Sequence, residues 1–438
     1  MKATVIGAGL AGCEAANILA SYGIKVDLYE QKPENYSAAH KYPGFAELVC
    51  SNSLKASRLE SASGMLKEEM RMLHSLIIPC AEQTAVAAGG ALAVDRERFS
   101  DLVTQKIREN PLIQVIEKQV TSLEFEGPVV VATGPLTSDN LAQVILNLTG
   151  SEHLSFYDAA APIVTAESVD MSIAFAASRY GRGDDDYLNC PMDKEEYETF
   201  LDALVEAESV PLKSFEQEHF KVYEGCMPIE VMAKRGSDTI RFGPLKPVGL
   251  TDPRTGHRPW AVVQLRKENA EGSLYNIVGF QTNLKWGEQK RVFSMIPSLQ
   301  NAEFVRYGVM HRNTFLDSPR CLNRHFQMKK NPSIWFAGQL TGVEGYVESA
   351  ASGLIVGHNL ARTMLGLPLI ELPKETMLGA LSDHVSDETK SDFQPMGSNM
   401  GILPPLPQRI KDKKERYRIT AERGIDALQE ALRTIDFQ

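Results

Sequence analysis

Two cysteines stand where a thiol could act as a nucleophile. Cys226 lies in Tyr223-Glu224-Gly225-Cys226-Met227-Pro228, where Gly and Pro predict a loop. Lys221, Lys234, Arg235 and Arg241 are close in sequence, and positive charge favours the thiolate. An inert core thiol fits the same residues equally well. Cys50 lies in the run Ala46 to Lys55, followed by the polar cluster Ser51-Asn52-Ser53, which can hydrogen-bond a cofactor or cap a helix. Cys50 reads either as a thiol beside a cofactor or as a small buried side chain, the commoner fate of a free cysteine. With Cys13, Cys80, Cys190 and Cys321 they form no CxxC pair and no regular spacing. That argues against disulfides in a reducing compartment and against a zinc site. Asp184-Asp185-Asp186, after Arg182-Gly183, is a solvated acidic turn rather than a metal site, so no metal is predicted.

A second kind of chemistry, phosphate binding, is written in the glycines. Gly7-Ala8-Gly9-Leu10-Ala11-Gly12 follows an apolar run, Lys2 to Ile6, and opens an Ala-rich helical run, Cys13 to Ser21. Gly7 allows a tight turn, Gly9 a close approach to pyrophosphate, and Gly12 close packing of helix on strand. The helix N-terminus offers N–H groups and a positive dipole end to the phosphates. A second strand, Lys25 to Tyr29, ends on Glu30, placed to bind ribose hydroxyls. Further on, Val129 to Ala132 runs into Thr133-Gly134-Pro135, a recurrent feature of two-dinucleotide flavoproteins that favours FAD over NAD as the resident cofactor. A last strand, Ser333 to Ala337, opens Gly338-Gln339-Leu340-Thr341-Gly342-Val343-Glu344-Gly345-Tyr346, with a helix from about Glu348 to Leu365. Strand, Gly-rich loop and helix recur at the far end of the chain, so the nucleotide domain is discontinuous.

These elements must be positioned by a larger frame. The chain has 438 residues, enough for two or three domains, and 43% hydrophobic with 23% charged residues suits a globular protein. No apolar run reaches the roughly twenty residues of a membrane helix. The apolar N-terminus reads as the first strand rather than a signal peptide, which predicts a cytoplasmic protein with no membrane partner. The net charge of −10 speaks against a generic nucleic-acid coat, but not against a local basic patch. Helices are expected over Ala62 to His74, from Asp95 to about Glu109, and over Glu195 to Glu208 as an exposed helix; Ile113 to Val120 reads as a strand. The expected fold is α/β: a discontinuous Rossmann-like FAD-binding domain, residues 1–155 and 325–438, with a mixed α/β insertion domain, residues 156–324. Within the insert, Lys246, Arg254, His257, Arg258, Arg266, Lys285, Lys290 and Arg291 interleave with Trp260, Tyr275, Phe280 and Trp286. That mix suits phosphate neutralisation with base stacking, and equally an ordinary β-rich surface. Phe393 to Pro407 reads as a Pro-rich linker. Lys411 to Thr434 reads as a helix whose basic start opposes its dipole, marking a solvated helix or a partner site.

The longer stretches carry a resemblance. Phe45 to Lys55 (FAELVCSNSLK), Gly183 to Met192 (GDDDYLNCPM), Gly225 to Arg235 (GCMPIEVMAKR), Arg241 to Leu250 (RFGPLKPVGL), Gly279 to Trp286 (GFQTNLKW) and Gly338 to Gly353 together resemble the bacterial folate- and FAD-dependent tRNA (uracil-5-)-methyltransferases. The resemblance spans nearly the whole chain, including both Cys50 and Cys226. The larger flavoprotein that modifies wobble uridines shares the Gly-rich ends but lacks the Cys226 context. The resemblance implies that a Cys226 thiolate adds to carbon 6 of a tRNA uracil, making carbon 5 nucleophilic. It implies 5,10-methylenetetrahydrofolate as the one-carbon donor, FAD as the redox cofactor and NADH or NADPH as the reductant. It places Cys50 at the flavin, and Glu344 and Tyr346 against folate and flavin, with Tyr346 stacking on the pterin. It names no base for the carbon 5 proton. The readings that compete with it are the same chemistry on a ribosomal RNA uridine, an FAD-dependent oxidoreductase of a small metabolite, and a binding module that holds FAD only structurally.

Overall fold

The computed structural model describes residues 1–37, 39–150, 154–181, 185–211, 227–390 and 393–435. The N-terminal pattern folds as strand β1 (Lys2–Ile6), helix α1 (Leu10–Ser21) and strand β2 (Lys25–Glu30). β3 (Ile113–Glu117), β4 (Val129–Val131) and β5 (Ile334–Phe336) complete a five-stranded parallel sheet in the order β5-β4-β1-β2-β3. The residues of β4 and β5 are all buried, which is why they read as unbroken apolar runs rather than alternating ones. The chain winds from β1 outward to β3, then returns to the other side of β1 with β4 and β5. The sheet therefore reverses its strand order between β1 and β4, and a crevice opens beyond the carboxyl ends of those strands.

Helix α2 (Tyr346–Leu365) packs along α1, and every residue from Val347 to Arg362 is buried. Two glycines allow this approach. A Cβ on Gly353 would overlap the backbone of Ala11, and one on Gly357 would lie 3.1 Å from the Cα of Ala15. The first thirty residues and the last quarter of the chain thus share one core.

The insert has its own. Its six-stranded antiparallel sheet runs in the order Phe175–Ala176, Tyr187–Met192, Ala261–Lys267, Leu274–Ile277, Ile163–Thr165, Phe304–Arg306. Phe280 sits between Phe200 and Phe293, with ring centroids at 6.1 and 5.1 Å. A strand pair, Leu154–Ala159 with Met310–Phe315, stands where the chain enters and leaves this region. The helix expected to be exposed, found at Lys194–Glu206, buries Tyr197, Phe200, Leu201 and Leu204, because these recur at helical spacing on one face. The interleaved basic and aromatic residues do not form one surface. Phe280, Tyr275 and Arg266 are buried, since their strand and turn positions point them inward.

One C-terminal expectation is corrected. The Pro-rich stretch after residue 392 is docked. Met396 exchanges backbone hydrogen bonds with Gly342 and Glu344, and Phe393 packs so closely on Gly342 that a Cβ there would lie 2.5 Å from the ring. The last helix, Lys413–Thr434, keeps its basic start in Lys413, Lys414 and Arg416, and the Asp412 side chain caps it by accepting the N–H of Glu415 at 2.7 Å. No helix among the described residues is long and apolar enough to cross a membrane.

Candidate active site

The crevice at the strand-order reversal is a cavity of about 390 Å³. Gly7, Ala8, Gly9, Leu10 and Ala11 line one end, with Glu30, Thr133 and Gly134 beside them; Gly338, Glu344, Tyr346 and Cys50 line it further along. Gly12 lies beneath the loop, where a Cβ would overlap the carbonyl oxygen of Gly7. Gly7 has φ +98°, and a Cβ there would lie 2.6 Å from the oxygen of Ala132. At Gly9 the situation is opposite: a Cβ would meet nothing within 4 Å, so the backbone is open toward the cavity. No side chain caps the first turn of α1. Bare N–H groups, an open glycine and a helix dipole fit the pyrophosphate of a dinucleotide.

Glu30 does more than was expected of a ribose ligand. Its carboxylate accepts the N–H of Ala8 at 2.8 Å and that of Lys32 at 3.0 Å, tying the end of β2 to the glycine loop. Thr133 hydrogen-bonds Thr137 at 2.6 Å, and Gly134 adopts φ +70° in the turn that follows β4. The N–H of Gly338 donates to Ser352 Oγ at 2.7 Å, and Glu344 accepts from Gln339 Nε2 at 2.8 Å.

Tyr346 and Cys50 meet through the backbone. The Tyr346 hydroxyl accepts the N–H of Cys50 at 2.7 Å and that of Ser51 at 3.3 Å. Burial, with the neighbouring Cys50, holds the Tyr346 phenol well above its usual range, so it stays neutral. Of the five described cysteines, Cys50 alone is not buried. Burial raises the thiols of Cys13, Cys80, Cys190 and Cys321, to about 11 at Cys80 and about 12 at Cys190 and Cys321. Cys50 is therefore the described thiol with access to chemistry. Cys226 lies outside the described residues, as do Lys221, Tyr223 and part of the acidic turn, residues 182–184. The residues on either side of the Cys226 segment are placed. Val210 donates to Asn283 O at 2.8 Å and Ile229 to Gln281 O at 2.7 Å, and Gln281 lines the cavity.

Sequence reasoning did not find what holds the Cys50 loop. Arg266, buried on the insert sheet, donates Nε–H to Asn52 Oδ1 at 2.9 Å and Nη2–H to Ser51 Oγ at 2.8 Å. Arg306 donates to the carbonyl of Val49 at 2.7 Å, and Arg96 to that of Leu48 at 2.8 Å. Arg96 also pairs with buried Glu268. Burial raises the Glu268 carboxyl and lowers the Arg266 and Arg306 guanidinium groups. Three guanidinium groups against one carboxylate leave excess positive charge behind Cys50, which favours an anion at that end of the cavity. The signal was faint, since Arg266 and Arg306 lie more than two hundred positions from the loop they hold and Arg266 read as part of a basic surface. At the α2 N-terminus, buried Glu348 accepts from Lys55 Nζ at 2.7 Å and from the Ser398 N–H at 2.8 Å. Burial opposes ionisation there, but the Lys55 charge prevails and holds the Glu348 carboxyl below its usual range. No group of three or more His, Cys, Asp or Glu among the described residues is arranged to hold a metal ion.

Comparison with known proteins agrees with this geometry. The family described as "Glucose inhibited division protein A" matches residues 2–368. A protein of Acetivibrio thermocellus named methylenetetrahydrofolate–tRNA-(uracil-5-)-methyltransferase TrmFO is 59% identical over 426 residues, covering 97% of each chain. One of the same name from Enterococcus faecalis is 57% identical over 435 residues, covering 99% of each. Among solved structures, GidA of Aquifex aeolicus superposes with a TM-score of 0.72 at 16% identity, covering 100% of this chain and 74% of that one, a likeness of fold.

Proposed function

Starting from the fact that the chain belongs to the methylenetetrahydrofolate–tRNA-(uracil-5-)-methyltransferase family, we propose that it methylates carbon 5 of the T-loop uridine of tRNA. The one-carbon unit comes from 5,10-methylenetetrahydrofolate and the reducing equivalents from NADH or NADPH through FAD. The observation that carries this reading is the single cavity in which a pyrophosphate cradle, the Gly338 to Tyr346 loop and the Cys50 loop come together.

FAD, when bound, supplies the redox chemistry and carriage of the one-carbon unit. The chain supplies place and charge. The Gly7–Gly12 loop and the α1 N-terminus hold the pyrophosphate, and Glu30 with Thr133 and Gly134 flank it. Tyr346 and the Cys50 loop bound the far end, where Glu344 and Tyr346 are assigned to the flavin and folate rings. Cys226 is assigned as the nucleophile. Its thiolate adds to carbon 6 of uracil, which moves electron density onto carbon 5 for attack on the one-carbon unit. Loss of the carbon 5 proton to a base would release the one-carbon unit from its carrier's amine nitrogen as an exocyclic methylene, and a hydride originating from NADH or NADPH, with departure of the thiolate from carbon 6, would give 5-methyluridine. Cys50 is assigned to the flavin end of the cavity, on the loop that Arg96, Arg266 and Arg306 hold. The uridine must leave its stack to reach this cavity. We place this work in the cytoplasm, where folded tRNA precursors and reduced nicotinamide are available.

The test is methyl transfer into an unmodified tRNA transcript, with methylenetetrahydrofolate and NADH or NADPH in one reaction and S-adenosylmethionine in another. Folate-dependent 5-methyluridine in the T-loop is expected. Methylation of ribosomal RNA alone, or of nothing by a protein whose flavin is reduced normally, would overturn the reading. For the thiols, Cys226→Ser is expected to abolish the covalent adduct with 5-fluorouridine RNA. An adduct that persists in Cys226→Ser and vanishes in Cys50→Ala, with a normal flavin spectrum, would reverse the two assignments.

A further inference from the structure

Three aromatic rings on segments that adjoin cavity-lining residues form a column whose outer end faces solvent. Trp286 and Tyr307 lie with centroids 5.7 Å apart and planes 12° from parallel. Tyr307 and Phe304 repeat the arrangement at 5.4 Å and 10°. Tyr307 is thus held between two rings, and Trp286 ends the column 62% exposed. An offset-parallel stack is a favourable aromatic packing, and its exposed end is a template for another flat ring.

The column is joined to the cavity wall at both roots. Tyr307 follows Arg306, whose guanidinium holds the Val49 carbonyl one residue from Cys50. Trp286 lies five positions after Gln281, which lines the cavity. The surroundings are near neutral: Lys285 pairs with Glu208, Arg291 pairs with Glu288 at 2.6 Å, and Lys290 adds an exposed cation. Stacking, rather than a broad basic field, is what this surface offers.

We infer that the exposed face of Trp286 is a stacking platform for an unpaired RNA base beside the uridine that enters the cavity. This rests on the reading of the chain as an RNA-modifying enzyme. Its physical basis is that removing a base from a loop strips its neighbour of a stacking partner, and an aromatic ring replaces that partner for any base. Lys290 is placed to meet a phosphate, and its contribution is sequence-independent.

The experiment uses full-length flavin-bound protein and a T-arm stem-loop transcript. Trp286→Ala is expected to weaken RNA binding about 5- to 150-fold. The rate at saturating RNA and the rate of flavin reduction by NADH or NADPH should be unchanged. Trp286→Phe, which keeps a ring, should recover most of the affinity. Quenching of tryptophan fluorescence on RNA binding should be present in the wild type and largely lost in Trp286→Phe. Affinity in Trp286→Ala within twofold of wild type would overturn the inference. So would a loss that Trp286→Phe does not recover, or a change in self-association with RNA affinity intact, which would make the column a contact between copies. Should the wild type methylate no tRNA, the proposed function fails by itself. The platform is then judged by an unstructured oligonucleotide, and absence of Trp286-dependent quenching would overturn it separately.

Discussion

Replacing Arg266 by Met tests whether the insert positions the Cys50 loop. Arg266 is 7% exposed and spends two donors on the loop, at 2.9 Å to Asn52 Oδ1 and 2.8 Å to Ser51 Oγ. Met fills similar volume and donates nothing. Asn52 is fully buried, and its Oδ1 would lose the Arg266 bond, at about 1–3 kcal/mol for an unsatisfied buried acceptor. Ser51 is half-buried, so water recovers part of its loss. Against this, removing a buried guanidinium relieves desolvation and repulsion from Arg96. The expected net is about 1–3 kcal/mol of stability, which at about 2–4 °C per kcal/mol is a fall of several degrees in Tm. The loop also loses its register, and a displacement of about 1 Å at a reacting group can cost about 100-fold in rate. We therefore expect kcat for methyl transfer to fall about 10- to 100-fold with little change in KM for tRNA. Arg266→Lys should restore charge but not the two-pronged grip, and so recover little of kcat. A variant with lower Tm but unchanged kcat would refute the reasoning and leave Arg266 a purely structural residue.

Other outcomes follow from the same geometry. Gly12→Ala pushes a methyl group onto the Gly7 carbonyl and should abolish flavin retention, read from the 450 nm absorbance of purified protein; a full flavin complement would refute the cradle. Tyr346→Phe leaves the Cys50 N–H without its 2.7 Å acceptor and should lower kcat about 5- to 10-fold, roughly the worth of one hydrogen bond, with FAD still bound. The Glu69 carboxyl is pushed up to about 8 by burial, although it accepts the N–H groups of Met377 and Leu378. Between the ordinary carboxylate range and that value the folded chain holds a proton that the unfolded chain has released, so stability falls as pH rises through this window. Glu69→Gln should flatten the decline of Tm between pH 5.5 and 8, and an unchanged slope would refute the assignment. Glu14, raised to about 7 by burial, supplies the part that remains.

The phosphate end of the site was legible because its requirements are local. Gly7, Gly9 and Gly12 must have those spacings for one turn, and strand, loop and helix are contiguous. The same locality announced β4 and β5 and the loops that follow them. What stayed hidden depends on meetings across long sequence separations. Arg266 reaches Asn52 over 214 positions, and Tyr346 reaches Cys50 over 296. Composition misled where burial decides: Phe280 and Arg266 look like surface residues among lysines, yet one anchors a core and the other the Cys50 loop. The small sheet of Ser53–Ala56, Ala85–Val86 and Ala91–Val94, which presents the Cys50 loop, was hidden because its strands are too short to show a period. The docked stretch after residue 392 looked like a linker because proline is common in both.

The joint between α1 and α2 sets a timetable. The cofactor site draws most of its walls from the first 141 residues and from residues 338–349, with Gln281 and Asn313 between them, and Gly353 and Gly357 seat the later helix on the earlier one. A ribosome delivers these pieces in order, so the N-terminal sheet must wait, one edge strand short and one helix face uncovered, while the roughly two hundred residues between β4 and β5, the insert among them, are made. The insert, with its own core, is free to fold in that interval. Non-local closure of this kind is slow. The enzyme's capacity to retain its flavin should therefore appear abruptly, only when chains are extended past about residue 365, and a nascent chain halted before α2 should expose an apolar helix face that invites chaperones.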